Sequence, residues 1–261
     1  MRPISDISRD QANKIRFVLT DIDDTLTSDG KVTPNSYNSL WNLKRAGKVV
    51  VPVTGRPAGW CDCIVRQWPV DAVIGENGAF VFYHEADRFH VFTHPSVRTD
   101  QRERLDEIAA AVKREIPLSR IAKDQFSRMY DLAIDFNEDP PRLGLDMAER
   151  IRDICERYGA KAKISSIHVN TWYGEYDKVS MARLFLEQKH GCDLGGDDRE
   201  TVLFVGDSPN DEPMFSFFPV SCAVANIRPF LPILNHRPAF VTDKEAGAGF
   251  AQVADMLLAS D

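Results

Sequence analysis

Short, almost wholly apolar runs alternate along the chain with segments whose apolar positions recur at helical spacing. Six runs read as strands: Ile15–Asp21, Lys48–Thr54, Asp71–Gly75, Thr201–Asp207, Ser221–Ala225 and Ala239–Thr242. They are apolar on both faces, as parallel strands covered by helices on each side must be. Between the first two, Thr33 and Pro34 read as helix cap and first helical residue, and Gly47 closes that helix. Pro57 opens a second helix that runs to about Trp68. This alternation predicts an α/β core with a doubly wound parallel sheet, Rossmann-like in layout.

The pattern changes after Gly78. AFVFYHEADRFHVFTH reads as two strands around a polar turn at Ala86–Asp87, followed by an amphipathic helix from Asp100 to about Glu115. Next come a strand near Met129–Phe136, a helix near Leu143–Tyr158 and one long strand over Lys161–Tyr173. The predicted organisation is a core of residues 1–82 and 175–261, with an inserted α+β cap at 83–174. The parent pattern resumes with the helix VSMARLFLEQKHG and the strand TVLFVGD.

Composition narrows the function classes. Hydrophobic residues make up 43% and charged residues 27%, an ordinary balance for a globular protein. A net charge of −7 argues against a nucleic-acid-binding surface. No apolar stretch approaches the ~20 residues of a membrane span. The polar start, MRPISDISRDQANK, lacks the apolar core of a secretory signal, so a cytoplasmic location is expected. The five cysteines are odd in number and scattered, which fits reduced thiols better than a disulfide frame or a zinc site.

The ends of the strands carry the chemistry. Asp21 and Asp23 follow the first strand, and GDSPND, with Asp207 and Asp211, follows the fourth. In an open α/β sheet, ligands bind beyond the carboxyl ends of the strands, where strand order reverses. Placing the first and fourth strands side by side gathers these four aspartates into one pocket. Two carboxylates ~4 Å apart repel by about 4 kcal/mol at an effective dielectric near 20. A cation is therefore expected, and an all-oxygen donor set suits Mg²⁺ better than Zn²⁺. Thr54 and Arg56 after the second strand, and Asn77 after the third, are donors suited to phosphate oxygens. Lys178 opens the helix before the fourth strand, within reach of the same pocket. Magnesium, donors, a lysine and a carboxylate able to act as nucleophile point to phosphoryl transfer.

DIDDT, Thr54, Lys178 and GDSPND, in this order, resemble the four motifs of the haloacid dehalogenase-like superfamily. The position of the insert resembles its subclass with a large α/β cap, which holds sucrose-phosphate and trehalose-phosphate phosphatases, phosphomannomutase and the Cof-type sugar phosphatases. The resemblance implies that Asp21 is the nucleophile and Asp23 the general acid and base. It implies Mg²⁺ on Asp21, on the Asp23 main-chain carbonyl and on Asp207, with Asp211 acting through water. It further implies that Thr54 and Lys178 bind the transferring phosphoryl group and that Asn210 orients Lys178 or the phosphate. Asp24, where many relatives have glycine, and Val179 after the lysine depart from the family pattern. In the insert, His168, Asn170 and Trp172 alternate on one strand face and are candidates for substrate contact, with Arg98, Arg128 and Asp135 as further candidates. The expected activity is a Mg²⁺-dependent phosphomonoesterase for a small phosphate ester, a sugar phosphate above all. The alternatives are a phosphomutase and a non-catalytic sensor of a phosphorylated metabolite. The sequence sets no oligomeric state.

Overall fold

The computed structural model describes residues 1–165 and 167–259. Its principal strands, in chain order, are β1 (Phe17–Thr20), β2 (Val49–Pro52), β3 (Ala72–Gly75), β4 (Phe80–Glu85), β5 (Arg88–Thr93), β6 (Leu132–Asp135), β7 (Lys161–Ile164), β8 (His168–Trp172), β9 (Val202–Gly206), β10 (Val220–Ala223) and β11 (Phe240–Val241). The longer helices are α1 (Pro34–Arg45), α2 (Ala58–Gln67), α3 (Arg102–Glu115), α4 (Leu145–Arg157), α5 (Lys178–His190) and α6 (Ala246–Leu258).

A six-stranded parallel sheet runs in the order Arg2–Pro3, β11, β10, β9, β1, β2. Successive residues of its strands enter different layers, as the period-2 geometry of a strand requires. Val18, Val50 and Leu203 pack with Leu40 and Leu43 of α1 and with Phe250 of α6. Phe17, Leu19, Val51 and Phe204 pack instead with Met181, Phe185 and Leu186 of α5. Both faces are thus buried by helices, which is the doubly wound α/β architecture. Thr33 caps α1, its Oγ1 accepting from the Ser36 N–H at 3.3 Å, and Gly47 follows the helix in the left-handed region at φ 75°.

Two expectations are corrected. The hairpin of β4 and β5 pairs antiparallel with β3, Ala72 opposite Tyr83 through Gly75 opposite Phe80. It therefore extends the core sheet's edge and is not the first element of the insert. β3 in turn joins β2 through one parallel bridge, Val53 to Ile74. Second, the single strand expected over Lys161–Tyr173 is a hairpin: β7 and β8 pair antiparallel, Lys163 opposite Asn170. Ser165 makes the turn, its N–H donating to the His168 carbonyl at 2.8 Å and its Oγ accepting from the His168 N–H at 3.0 Å. Ser166, within that expected strand, lies outside the described residues.

The second unit is an antiparallel sheet in the order β7, β8, β6, Arg120–Ile121. Its own core draws on residues from Leu105 to Tyr173, with Ile108 and Val112 of α3 and Ile151 and Ile154 of α4 against Leu132, Ile134 and Val169. Val169 enters that core, so His168 and Asn170, one residue to either side, face away from it and line a cavity shared with Asp21 and Asp23. Among the described residues, no helix is long and apolar enough to cross a membrane.

Candidate active site

β1 and β9 are neighbours, Phe17 opposite Val202 through Thr20 opposite Val205, and the Asp21 N–H continues the ladder to the Val205 carbonyl at 2.8 Å. This pairing sets Asp21 and Asp207 at one end of the sheet. Lys178 reaches them from the first turn of α5, which Asp177 caps by accepting from the Ser180 N–H at 2.7 Å. The Lys178 ammonium donates to Asp21 Oδ1 at 2.6 Å and to Asp211 Oδ1 at 2.9 Å. Asp211 Oδ2 accepts from the Asp207 N–H at 3.1 Å. Gly206 makes that approach possible, because a Cβ there would lie 2.5 Å from Asp211 Oδ2. Thr25 Oγ1 donates to Asp207 Oδ1 at 3.3 Å, and Asn226 Nδ2 reaches Asp207 Oδ2 at 3.4 Å.

One oxygen from each of Asp21, Asp207 and Asp211 lies within 4.8 Å of the others, and all three residues are buried. Burial pushes the Asp21 carboxyl up to about 7, with Lys178 opposing the rise and Asp211 and Asp23 adding to it. Burial, then the charges of Asp211 and Asp21, raise Asp207 well above the usual carboxylate range. Burial alone would lower the Lys178 pKa, but Asp21 and Asp211 reverse this, so the amine is held as the cation. Three carboxylates thus face one ammonium. A buried, all-oxygen, net negative donor set fits a hard divalent cation such as Mg²⁺.

A cavity of about 530 Å³, its open mouth included, lies beside the cluster. On the core side it is lined by Asp21, Asp23, Thr54, Arg56, Asn77 and Asn210. Thr54 is buried, its hydroxyl oxygen accepting from the Arg56 N–H at 3.0 Å. The Arg56 guanidinium is forked on Asp23, with Nε 2.9 Å from Oδ2 and Nη2 2.8 Å from Oδ1, and stacks over Trp60. Asn77 sits in the left-handed region at φ 57°, and its Nδ2 is buried without an acceptor. Asn210 accepts from Ser208 Oγ at 2.7 Å, while both hydrogen bonds of the Lys178 ammonium go to carboxylates.

The insert supplies the facing wall. His168 Nε2 lies 2.9 Å from Glu138 Oε2, and burial, then the Arg128 charge, lower the His168 pKa. Asn170 Nδ2 donates to Asp131 Oδ2 at 3.0 Å. Trp172 stacks on Tyr176 at 5.6 Å within the core packing and edges a neighbouring recess. Arg98 is exposed and pairs with Asp100 at 3.0 Å; Asp135 is buried and pairs with Arg120 at 3.0 Å. Arg128 does reach the cavity.

Glu76 is the buried carboxylate that sequence reasoning missed. Its Oε1 accepts from the N–H groups of Ala58 at 3.1 Å and Met129 at 2.8 Å. Its Oε2 accepts from Tyr130 at 2.7 Å and Asp131 at 3.2 Å. One core side chain thereby binds three consecutive residues of the insert. Burial and the Asp131 charge push its carboxyl up to about 7, against these hydrogen bonds. The sequence offered one signal, a lone acid between an apolar strand and the Asn77–Gly78 turn.

Residues 18–123 match the family model of the haloacid dehalogenase-like hydrolases. That match spans somewhat under half of the chain. Among curated proteins, none matches this chain in sequence. In fold it is similar to protein 0175 of Thermoplasma acidophilum, with a TM-score of 0.72 at 21% identity over 94% of this chain and 98% of that one. The C-terminal domain of trehalose-6-phosphate phosphatase from C. albicans gives a TM-score of 0.72 at 15% identity, covering 99% of each chain. BT1666 from Bacteroides thetaiotaomicron, a phosphatase of the haloalkanoate superfamily, gives 0.65 at 18% identity, covering 95% of this chain and 96% of that one.

Proposed function

We propose that this hydrolase is a Mg²⁺-dependent phosphomonoesterase for a phosphorylated sugar or sugar-like metabolite, working through an aspartyl-phosphate on Asp21. The observation that carries the reading is the buried trio Asp21, Asp207 and Asp211 under a single ammonium. Two neighbours in fold are named phosphatases, and one of those names is for a sugar phosphate.

Asp21, Asp207 and Asp211 are the side chains that fit Mg²⁺, and the bound ion supplies positive charge to the phosphoryl oxygens. Asp21 Oδ1 is tied to Lys178, while Oδ2 takes no hydrogen bond among the described residues and is the oxygen presented for attack. As the Asp21–phosphorus bond forms, the bond to the ester oxygen breaks, and the leaving oxygen takes its proton from Asp23. Water then attacks the acyl phosphate, giving a proton back to Asp23 and freeing phosphate and Asp21. For Asp23 to hold that proton, Arg56 has to loosen its fork, and phosphoryl oxygens are the competing partner. Thr54, Asn77 and Asn210 add neutral donors around the same space. The insert acts as a cap whose His168–Asn170 face keeps bulk water from the acyl phosphate.

A mutase would hold a bisphosphate with several free cations on the cap. Arg128 is committed to Asp131 at 3.0 Å, to Asp124 at 3.2 Å and to the Gly55 carbonyl at 3.0 Å, which leaves Lys163 as the one uncommitted Lys or Arg lining the cavity among the described residues and favours hydrolysis. The test is phosphate release from a panel of sugar phosphates with Mg²⁺ and with EDTA, beside Asp21→Asn. Metal-dependent release that the variant loses by on the order of 10³-fold or more is expected. Undiminished release by Asp21→Asn would remove the nucleophile assignment, and isomerised product without phosphate would favour the mutase.

A further inference from the structure

The cationic side chains of the cavity differ in what they already hold. Arg56 is forked on Asp23, Arg128 is spent on Asp124 and Asp131, and Lys178 lies between Asp21 and Asp211. Lys163, on β7 of the insert, lines the same cavity, and its ammonium takes no hydrogen bond or ion pair among the described residues. Its strand is well fixed: Lys163 lies opposite Asn170 in the β7–β8 ladder, and Asn170 is anchored on buried Asp131.

A recess of about 420 Å³, its open mouth included, adjoins the cavity and shares Asn77, Lys163 and Asn210 with it. Lys178 lines this recess too, so the recess touches both the ammonium beside the nucleophile and the free ammonium of the insert. Two of its residues bring unmet donors, since Asn77 Nδ2 and Trp172 Nε1 are buried without acceptors. A buried donor left unpaired costs about 1–3 kcal/mol, which an acceptor on a ligand recovers. Val179, Pro213 and Met214 give part of the remaining wall an apolar surface for a short carbon chain, and Asp177, whose Oδ1 accepts from the Ser180 N–H, completes the lining. A phosphate ester with no other charge would answer Lys178 and leave Lys163 with nothing to bind.

We propose that Lys163 reads a second anionic group, a carboxylate or a second phosphate, on the part of the substrate remote from the transferred phosphoryl. This rests on the phosphatase reading and narrows its substrate class to esters with a charge at each end. Lys163 is exposed, and an exposed ammonium–anion contact fixes orientation and rejects neutral analogues more than it adds raw affinity.

The test is calorimetric binding of three probes with Mg²⁺, in an Asp21→Asn background so that none is consumed. The probes are 6-phosphogluconate for the carboxylate, fructose 1,6-bisphosphate for the second phosphate and glucose 6-phosphate for neither. At least one doubly anionic probe is expected to bind on the order of 10-fold more tightly than glucose 6-phosphate. Which one does so tells carboxylate from phosphate. Lys163→Ala is expected to bring that ratio towards one, and Lys163→Glu to invert it. Equal or undetectable binding of all three, or a ratio that Lys163→Ala leaves unchanged, overturns the proposal. Turnover by the enzyme with Asp21 intact reads the other claim separately. A Lys163-dependent ratio without phosphate release upholds the subsite and sinks the phosphatase reading, while release with an unchanged ratio does the reverse.

Discussion

Two buried clusters of carboxylates lie a short way apart in this molecule, and they are compensated in opposite ways. At the junction of core and insert, Glu76 and Asp131 are both fully buried. Glu76 accepts four backbone N–H groups, and Asp131 takes the Arg128 guanidinium and the Asn170 amide. At the sheet end, Asp21, Asp207 and Asp211 share one ammonium, with a single main-chain N–H, a hydroxyl and an amide besides. Burial is similar; the count of partners is not. A buried carboxylate that is fully answered by donors holds structure together. One left short of positive charge is a candidate for binding a cation.

The largest effect that separates the clusters is expected from Lys178→Met. With the amine gone, Asp21 and Asp211 are buried without a counter-charge, and loss of a buried ion-pair partner costs about 3–5 kcal/mol. Urea denaturation should show this loss in metal-free protein, with a good part regained on adding Mg²⁺. If Mg²⁺ restores nothing, the cluster is not under-compensated in the sense argued here.

Glu76→Gln should cost about 2–4 kcal/mol, because the amide nitrogen cannot accept and leaves two of the four N–H groups unmet. Here Mg²⁺ should add no more stability than it adds to the parent protein. A specific rescue by Mg²⁺ would erase the distinction between the clusters.

Proton linkage sharpens the comparison further. The folded state holds the Asp21 proton up to about pH 7, whereas an unperturbed aspartate releases it near 3.8, and Asp207 is shifted in the same direction. Metal-free stability therefore falls as pH rises through that window, since the native state binds more protons than the unfolded chain. Glu76, also raised to about 7, steepens the fall between 4.5 and that value. On the proposed reading, only the aspartate cluster exchanges protons for metal. The rise in melting temperature on adding Mg²⁺ should thus be larger near about pH 8 than near about pH 6. A pH-independent rise would contradict it.

The smallest expected effect is at Asp24, which adopts φ 57° beside the cluster and whose pKa is raised by burial and by Asp23. Asp24→Gly relieves both the left-handed backbone and the repulsion, for a gain of about 0.5–1 kcal/mol in the denaturation midpoint. A loss there would mean that the Asp24 carboxylate holds something in place.

The aspartate cluster was legible because local pattern and topology agree on it. Apolar runs named the strands, and the pairing of β1 with β9 is what brings Asp21 to Asp207. The junction was not legible, since Glu76 acts on backbone N–H groups more than fifty residues away that no side-chain pattern announces. The β7–β8 turn was hidden for a different reason. It contains no glycine, proline or asparagine and is closed by Ser165 hydrogen bonds within a run that alternates like one strand. The β4–β5 hairpin was recognised as a hairpin, but its sheet was not, because the short connection at residues 76–79 that folds β4 back onto β3 read as the point where an insert begins. Arg56 read as a phosphate donor from its place after a strand; its fork on Asp23 depends on how two loops meet in space.

The most direct test of the central claim is a calorimetric titration of metal-free protein with MgCl₂ near about pH 6.5, in buffers of different ionisation enthalpy. The account requires one site formed by Asp21, Asp207 and Asp211, protons released as Mg²⁺ binds, and loss of that site in Asp207→Asn but not in Glu76→Gln. Binding without proton release, or binding that survives Asp207→Asn, would contradict it.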